Sequence, residues 1–493
     1  MIQKTRALCG LSLLASLVLV SSALAQSTLP AAPQQSNAHP SQSSAPPAAQ
    51  GSSSRAASAS APLVGAAKEI INELAQSQFE KVEAQYDGKM AAALPPGKLA
   101  TGWNSLISQV GAFQSIEETR VDSAGEQTIV TVVCKFEKIV LDARVAFDPD
   151  AKLAGLAFRP HEEPVAPWVA PGYADPAAFT ETPLTLVNGK YELPGTLTMP
   201  KGDGPFPAIV LVQGSGPHDQ DETIGPNKPF KDLAWGLASR GVAVYRYTKR
   251  TAKYGTQVSD DPNRLTVDDE VIRDAQAAIT LVSKQPKIDN SRVFLLGHSL
   301  GAYLAPRIAR GDAQIDGLIL LSAPSEPIEQ LAIEQMRYIA SLTGVPSQQA
   351  QQQIQIAEDS ARQIESADLK PGDTVNFLNA NSPASYWLDL RGYHPEAVAA
   401  TLPIPMLILQ GERDYQVPMA DFDAWKKALD AKKNATLEYF PNLNHMLFAG
   451  TGAPSPEEYH QPGHMDAAVI AAIVNWPPLA AGGVPEAPKK QAK

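Results

Sequence analysis

Cysteine is almost missing from this chain: Cys9 and Cys134 are the only two among 493 residues. Cys9 falls in an N-terminal stretch expected to be removed. Cys134 is then alone, which excludes an intramolecular disulfide framework. Long apolar runs are missing too. Beyond Ala25 no segment reaches the roughly eighteen apolar residues that a membrane-spanning helix requires. A basic excess is also lacking, since 41 Lys and Arg stand against 52 Asp and Glu, for a net charge of −11. Nucleic-acid binding needs a basic patch against phosphate, so that partner class is excluded.

The first residues read as an address. Lys4 and Arg6 form a short basic region, residues 7–20 are apolar, and Ala23-Leu24-Ala25 is a small-residue cleavage site. A cut after Ala25 is expected, giving a secreted or periplasmic protein with no stable membrane insertion. No cysteine follows the apolar stretch, which argues against a lipoprotein anchor. Residues 26–62 are rich in Ser, Ala, Pro and Gln. They have too little apolar surface to offset their ordering entropy and are expected to form a disordered linker. Residues 479–493 read as a second disordered tail.

Residues 63–160 predict a small α+β domain. Ile70, Ile71, Leu74, Phe79 and Val82 give residues 66–86 a helical pattern, and residues 103–110 suggest a second helix. Strand-like runs follow at 112–120, 128–136, 139–147 and 153–158, predicting an antiparallel sheet packed on helices. Cys134 reads as an inert core residue. His161-Glu162-Glu163 lacks a spacing partner for a metal site, and no metal is expected.

Residues 164–478 alternate strands with helices, the pattern of a mostly parallel sheet covered on both faces. Within them Gly297-His298-Ser299-Leu300-Gly301 lies between an apolar run and a helical one. That context makes Ser299 a candidate nucleophile on a strand-to-helix turn. A serine hydroxyl needs an exposed oxygen and a neighbouring base. Asp414 follows the apolar run 405–410, and His445 follows the alternating run 435–440, in the order acid then base. In these roles His445 moves the Ser299 proton and Asp414 fixes the imidazole tautomer. Glu412, Asp421 and Asp423 compete for the acid role, and His460 and His464 for the base. The oxyanion hole is expected from the N–H of Leu300 and one N–H of Gly214 or Ser215, in the loop after the run 208–212. Residues 324–400 are too long for a simple connection and read as a helical cap. His218, Met336, Tyr338, Tyr386, Trp387 and Tyr393 are candidates to line the pocket, with packing inside the cap as the alternative for the cap residues.

Three segments carry a resemblance: residues 213–230, which open Gln-Gly-Ser-Gly-Pro-His, residues 231–241, and Tyr245-Arg-Tyr-Thr-Lys-Arg-Thr251. They resemble bacterial α/β-hydrolases of the carboxylesterase type with a small N-terminal domain of unknown function. The resemblance spans roughly residues 65–478. It implies an α/β-hydrolase fold with a helical cap and a Ser299, Asp414 and His445 triad, without a metal or organic cofactor. The family usually has arginine where Gln220 stands and aspartate where Thr248 stands. The expected activity is hydrolysis of small carboxylic esters, short-chain ones first, through an acyl-enzyme. Two alternatives stay open. One is an aminopeptidase or amidase with the same triad, for which Asp219, Asp221 and Glu222 could hold an α-amine. The other is a non-catalytic binding scaffold.

Overall fold

Helix formation starts at Ser53, inside the stretch read as linker. The computed structural model describes residues 53–480, apart from 125–126, 162–166, 256, 343, 345 and 379. The expected signal peptide, the linker up to residue 52 and the tail from residue 481 lie outside the described residues. The described residues divide into two compact units, 53–161 and 167–480.

The first unit opens with α1 (Ser53–Ala75). Its first half carries four serines and Pro62 beside four alanines, so composition does not favour helix there. Its second half buries Ala67, Ile70, Ile71 and Leu74, the spacing of one helix face. The helix expected over 66–86 breaks at Ser77, whose φ is 60°, and resumes as α2 (Phe79–Glu83). Then come α3 (Gly88–Ala93), capped by the Asp87 carboxylate on the Met90 N–H, and α4 (Lys98–Val110). The strands β1 (Phe113–Ala124), β2 (Gln127–Phe136), β3 (Val140–Phe147) and β4 (Leu153–Pro160) form an antiparallel sheet in that order. Val130, Val132, Cys134 and Phe136 of β2 join α1 and α4 in one core. Burial pushes the Cys134 thiol up to about 12, so it stays protonated and inert. His161 Nδ1 lies 2.6 Å from the Asp142 carboxylate, while Glu162 and Glu163 are outside the described residues.

The second unit is built on an eight-stranded sheet. Its strands are β5 (Phe179–Pro183), β8 (Gly195–Pro200), β9 (Phe206–Val212), β10 (Ala243–Tyr247), β11 (Ile288–His298), β12 (Gly317–Leu321), β15 (Met406–Gly411) and β16 (Ala435–Phe440). Between β5 and β8 stands the hairpin β6 (Leu186–Asn188) and β7 (Tyr191–Leu193). The order across the sheet is β16-β15-β12-β11-β9-β10-β8-β5. The six strands from β16 to β10 run parallel, and β8 is antiparallel to both its neighbours. Alternate residues face opposite cores. Val210, Leu295, Leu320 and Ile408 pack on α7 (Arg273–Ser283), α8 (Leu300–Arg310) and α13 (Met419–Leu429). Leu211, Leu296, Leu321 and Leu409 pack on α5 (Pro229–Ala238) and α14 (Ala467–Asn475), which runs on into α15 (Pro477–Ala480). A short helix, α6 (Arg250–Tyr254), follows β10.

The chain leaves β9 for β10 on one side and returns to β11 on the other. The carboxyl ends of β9 and β11 therefore flank a crevice, where open α/β sheets bind ligands. Between β12 and β15 lies the cap, with α9 (Ile328–Ser341), α10 (Gln348–Glu365), α11 (Ala384–Leu390) and α12 (Pro395–Thr401). It also holds a hairpin, β13 (Thr374–Phe377) with β14 (Ala380–Pro383), which the helical reading did not include. Runs of four residues are too short to show a period against a helical background. The cap has its own core around Met336, Phe377 and Trp387.

The elbow glycines answer to close packing. A Cβ on Gly297 would run into the Gly301 backbone, and one on Gly301 into the Val212 carbonyl. Backbone atoms cannot step aside as a side-chain tip can. Gly301→Ala is expected to cost roughly 3 kcal/mol or more. Thermal denaturation should then show a Tm lower by about 6 °C or more.

Candidate active site

Ser299 sits where β11 turns into α8, with φ 53° and ψ −118°. Its N–H donates to the Leu321 carbonyl at 3.0 Å and its carbonyl accepts from the Tyr303 N–H at 2.9 Å. A non-glycine residue at positive φ stores strain, which here turns the hydroxyl out between two secondary elements. The N-terminus of α8 follows directly, with its unpaired N–H groups.

His445 lies in the loop after β16 and Asp414 in the loop after β15. Both are buried, at 5% and 4% exposure. His445 Nδ1 is 2.7 Å from Asp414 Oδ2. The other Asp414 oxygen accepts from the N–H groups of Gln416 and Val417 at 2.8 and 2.9 Å. The His445 carbonyl accepts from the Ser322 hydroxyl at 2.8 Å and from His298 Nε2 at 3.0 Å. Backbone and carboxylate thus hold the ring from two sides. Ser299 and His445 line one cleft. The rival acid Asp421 instead accepts from the N–H and hydroxyl of Ser325. Of the rival bases, His464 pairs with Asp232 and His460 is exposed.

The loop after β9 separates the two N–H groups that the sequence left open. That of Gly214 is taken by Glu222 Oε1 at 2.6 Å. The N–H groups of Ser215 and Leu300 find no acceptor among the described residues and belong to residues lining the cleft. A Cβ on Gly214 would lie 3.1 Å from that of Ser299, a close approach that one of the two would have to ease by a few tenths of an ångström.

Glu222 and His298 form a buried pair beside the serine that the sequence reading missed. His298 Nδ1 lies 3.1 Å from Glu222 Oε2, an ion-pair distance off the hydrogen-bond direction. Burial disfavours the charged His298 ring, but Glu222 and the His445 carbonyl hold its pKa above the usual value. Burial likewise works against the Glu222 carboxylate, and His298 holds its pKa below the usual value. The signal was available in part, since His298 stands inside the serine pentapeptide.

The other acids of this loop are also committed. Asp219 accepts from the N–H groups of Asp221 and Thr223, and Asp221 pairs with Arg246 and Lys228. They hold the loop together and do not line the cleft. Of the three acids weighed as α-amine ligands, only Glu222 lines the cleft.

The pocket candidates divide sharply. His218 lines the cleft, and its Nε2 lies 2.6 Å from the Ser215 carbonyl; burial holds its pKa below the usual value. The other five do not line it. Met336 and Trp387 lie in the cap core, with the Trp387 indole N–H on the Ser382 hydroxyl. Tyr338 stacks on Tyr415 at 5.2 Å and donates to the Pro454 carbonyl. Tyr386 donates to Glu270. Tyr393 packs edge-on against Tyr303. The lining comes instead from Ile328, Leu331, Gln335 and Ile339, one face of α9, with Ile224, Tyr415 and Met446. Choosing by aromatic type overlooked that helical face, and Met336 stands about a quarter turn away from it, in the cap core.

At the foot of the cap, Glu326 is pushed up to about 7 by burial, with Asp421 and Glu334 adding repulsion. A carboxyl raised above its unfolded value is harmless while protonated and costs stability once ionised. That cost grows as pH rises from about 4.5 through 7. Glu326→Gln should raise Tm more at pH 8 than at pH 4.5, as paired melting curves would show.

Comparison with known proteins adds relatives to this geometry. Residues 227–451 match the family model described as "Serine aminopeptidase, S33", and residues 67–156 match "Protein of unknown function (DUF3887)". The chain is 39% identical to Esterase EstD of Thermotoga maritima over 406 residues, 82% of this chain and 93% of that one. Est1E from Butyrivibrio proteoclasticus aligns at 18% identity and a TM-score of 0.37, over 54% of this chain and 90% of that one. The esterase domain of a Rhodothermus marinus protein aligns at 16% identity and a TM-score of 0.38, over 61% and 98%.

Proposed function

The chain belongs to the family of Esterase EstD, carboxylesterase-like α/β-hydrolases with a small N-terminal domain, and on that premise we propose that Ser299, His445 and Asp414 cleave carboxylic esters through an acyl-enzyme. The supporting observation is the buried Asp414–His445 hydrogen bond ending in the cleft that Ser299 lines.

The Ser299 oxygen attacks the ester carbonyl carbon and its proton passes to His445 Nε2. Asp414, on Nδ1–H, stabilises the imidazolium. The N–H groups of Leu300 and Ser215 take the negative charge of the tetrahedral intermediate, a donor pair of which each member is worth about 2.7–4 kcal/mol. Collapse breaks the bond to the alcohol, which leaves with the proton from His445. Water then gives its proton to His445, attacks the acyl carbon and frees Ser299.

An uncharged, short acyl group fits this reading best. Ile224, Ile328, Leu331 and Ile339 offer apolar walls, interrupted by His218, Gln335 and Gln416. A long alkyl chain would leave such polar ends without water. An α-amine would want a free carboxylate in the lining, and Glu222 is spent on Gly214 and His298. Export through the segment ending at Ala25 belongs to the same proposal, supported by its basic start, apolar middle and small-residue cleavage site. Among the described residues no helix is long and apolar enough to cross a membrane.

The test is a p-nitrophenyl ester series from acetate to palmitate, run beside aminoacyl p-nitroanilides. Turnover should be highest on the short esters and absent or far lower on the anilides. Faster turnover of the aminoacyl anilides would replace the ester reading with the peptidase one.

A further inference from the structure

Lys249 is a cation buried to 2% exposure at the carboxyl end of β10. Nothing in the triad uses it. Its Nζ donates to the Gly214 carbonyl at 2.9 Å and pairs with Glu270 Oε1 at 2.9 Å. Its own N–H donates to the His218 carbonyl at 3.0 Å. Glu270 lies in a single π-helical turn, Asp268–Ile272, that leads into α7. Its second oxygen accepts from the Tyr386 hydroxyl of the cap helix α11 at 2.9 Å. Such turns inside helices recur at functional sites, because they shift a side chain out of the regular register.

The Gly214 carbonyl and the Ser215 N–H belong to one peptide unit. In a trans peptide the two point in opposite directions. A cation fixed on the carbonyl therefore fixes where the N–H points, and polarises the amide so that the N–H is a better donor. Two other side chains fasten the same loop: Glu222 takes the Gly214 N–H, and His218 Nε2 contacts the Ser215 carbonyl. The Ser215 N–H is left without an acceptor among the described residues, in a residue that lines the cleft.

We propose that Lys249, held by Glu270, is the positioning residue of the oxyanion hole, orienting the Gly214–Ser215 peptide so that the Ser215 N–H faces the developing oxyanion. The proposal rests on the ester-hydrolase reading of Ser299. Lys249 does not touch substrate and acts through the peptide it holds. A preorganised donor helps only where charge develops, so its loss should fall on the transition state and spare ground-state binding.

The experiment compares wild type, Lys249→Met, Lys249→Arg and the double variant Lys249→Met/Glu270→Gln on p-nitrophenyl acetate. The double variant removes both charges together and avoids leaving a buried carboxylate unpaired. Each is also titrated with a trifluoromethyl ketone, which forms a tetrahedral oxyanion adduct on an active serine. Concentrations are set by active-site count, so that partial misfolding does not count as slow catalysis. Expected is a fall in kcat of roughly 100-fold in Lys249→Met and in the double variant. KM should stay within about twofold and the ketone should weaken in step with kcat/KM. Lys249→Arg, which can still reach a carbonyl, should recover part of kcat. A folded variant with near-wild-type kcat per active site, or unchanged ketone affinity, would overturn the assignment. Wild-type protein inert to both ester and ketone would instead fail the ester-hydrolase reading itself.

Discussion

Alanine at Ser299 should lower kcat on p-nitrophenyl acetate by about 10^5–10^6-fold, with Tm close to wild type. The hydroxyl makes none of the bonds that hold the elbow. Those run through the Ser299 N–H to Leu321 and through its carbonyl to Tyr303, and alanine keeps both. The positive φ is as strained for alanine as for serine. The residual rate over water should come from the oxyanion donors and the cleft. Adding His445→Ala to Ser299→Ala should lower the rate little further, because the two residues act as one unit. Steady-state kinetics on both variants, after removing contaminating esterase by labelling with a fluorophosphonate, reads this directly.

The second large effect is expected at Asp414. Asparagine there should lower kcat by about 10^4-fold while the fold persists. One carboxylate oxygen accepts from the Gln416 and Val417 N–H groups, and an amide oxygen serves that purpose equally. The other oxygen, which faces His445 Nδ1 and receives the Gln410 amide at 3.2 Å, becomes an NH2 group. That donor favours the imidazole tautomer with Nδ1 bare and Nε2 protonated. The proton then sits on the nitrogen that must accept from Ser299. Comparing kcat with Tm separates this from a loss of folding: the account expects the first to collapse and the second to move by a few degrees at most.

How much of this was legible in the sequence depends on what each residue answers to. The elbow glycines answer to backbone packed against backbone, which leaves a pattern of fixed spacing. Asp414 and His445 answer to topology: each follows a strand, and the loops after parallel strands gather at one edge of the sheet. The four strands of the first unit and the runs at 208–212, 405–410 and 435–440 were plain from their apolar pattern, while β5, β8, β10 and the short hairpins were not read. The cleft wall was not legible in this way. Ile328, Leu331, Gln335 and Ile339 look like any buried helical face, and only the packing of α9 decides which side meets the substrate. Aromatic residues drew attention by type, yet Tyr386 and Trp387 serve the cap. The supports of the oxyanion loop were the least visible. Lys249 follows β10 and Gly214 follows β9, so the two meet because those strands are neighbours, and Glu270 joins them from the turn leading into α7. Glu222 was noticed as an acid, but its partner is a backbone N–H, which no sequence pattern announces. The helix at residues 53–62 was not legible either, since four serines and Pro62 stand beside its four alanines.

The most direct test of the account is rapid-mixing kinetics with p-nitrophenyl acetate at enzyme concentrations that make one turnover visible. The account predicts a burst of p-nitrophenol equal to one per active Ser299, followed by a slower steady rate, with a mass increase of one acetyl group on the peptide that contains Ser299. An active enzyme that carries the acetyl group on another residue, or that forms no acyl adduct under conditions where deacylation is slow, would contradict it.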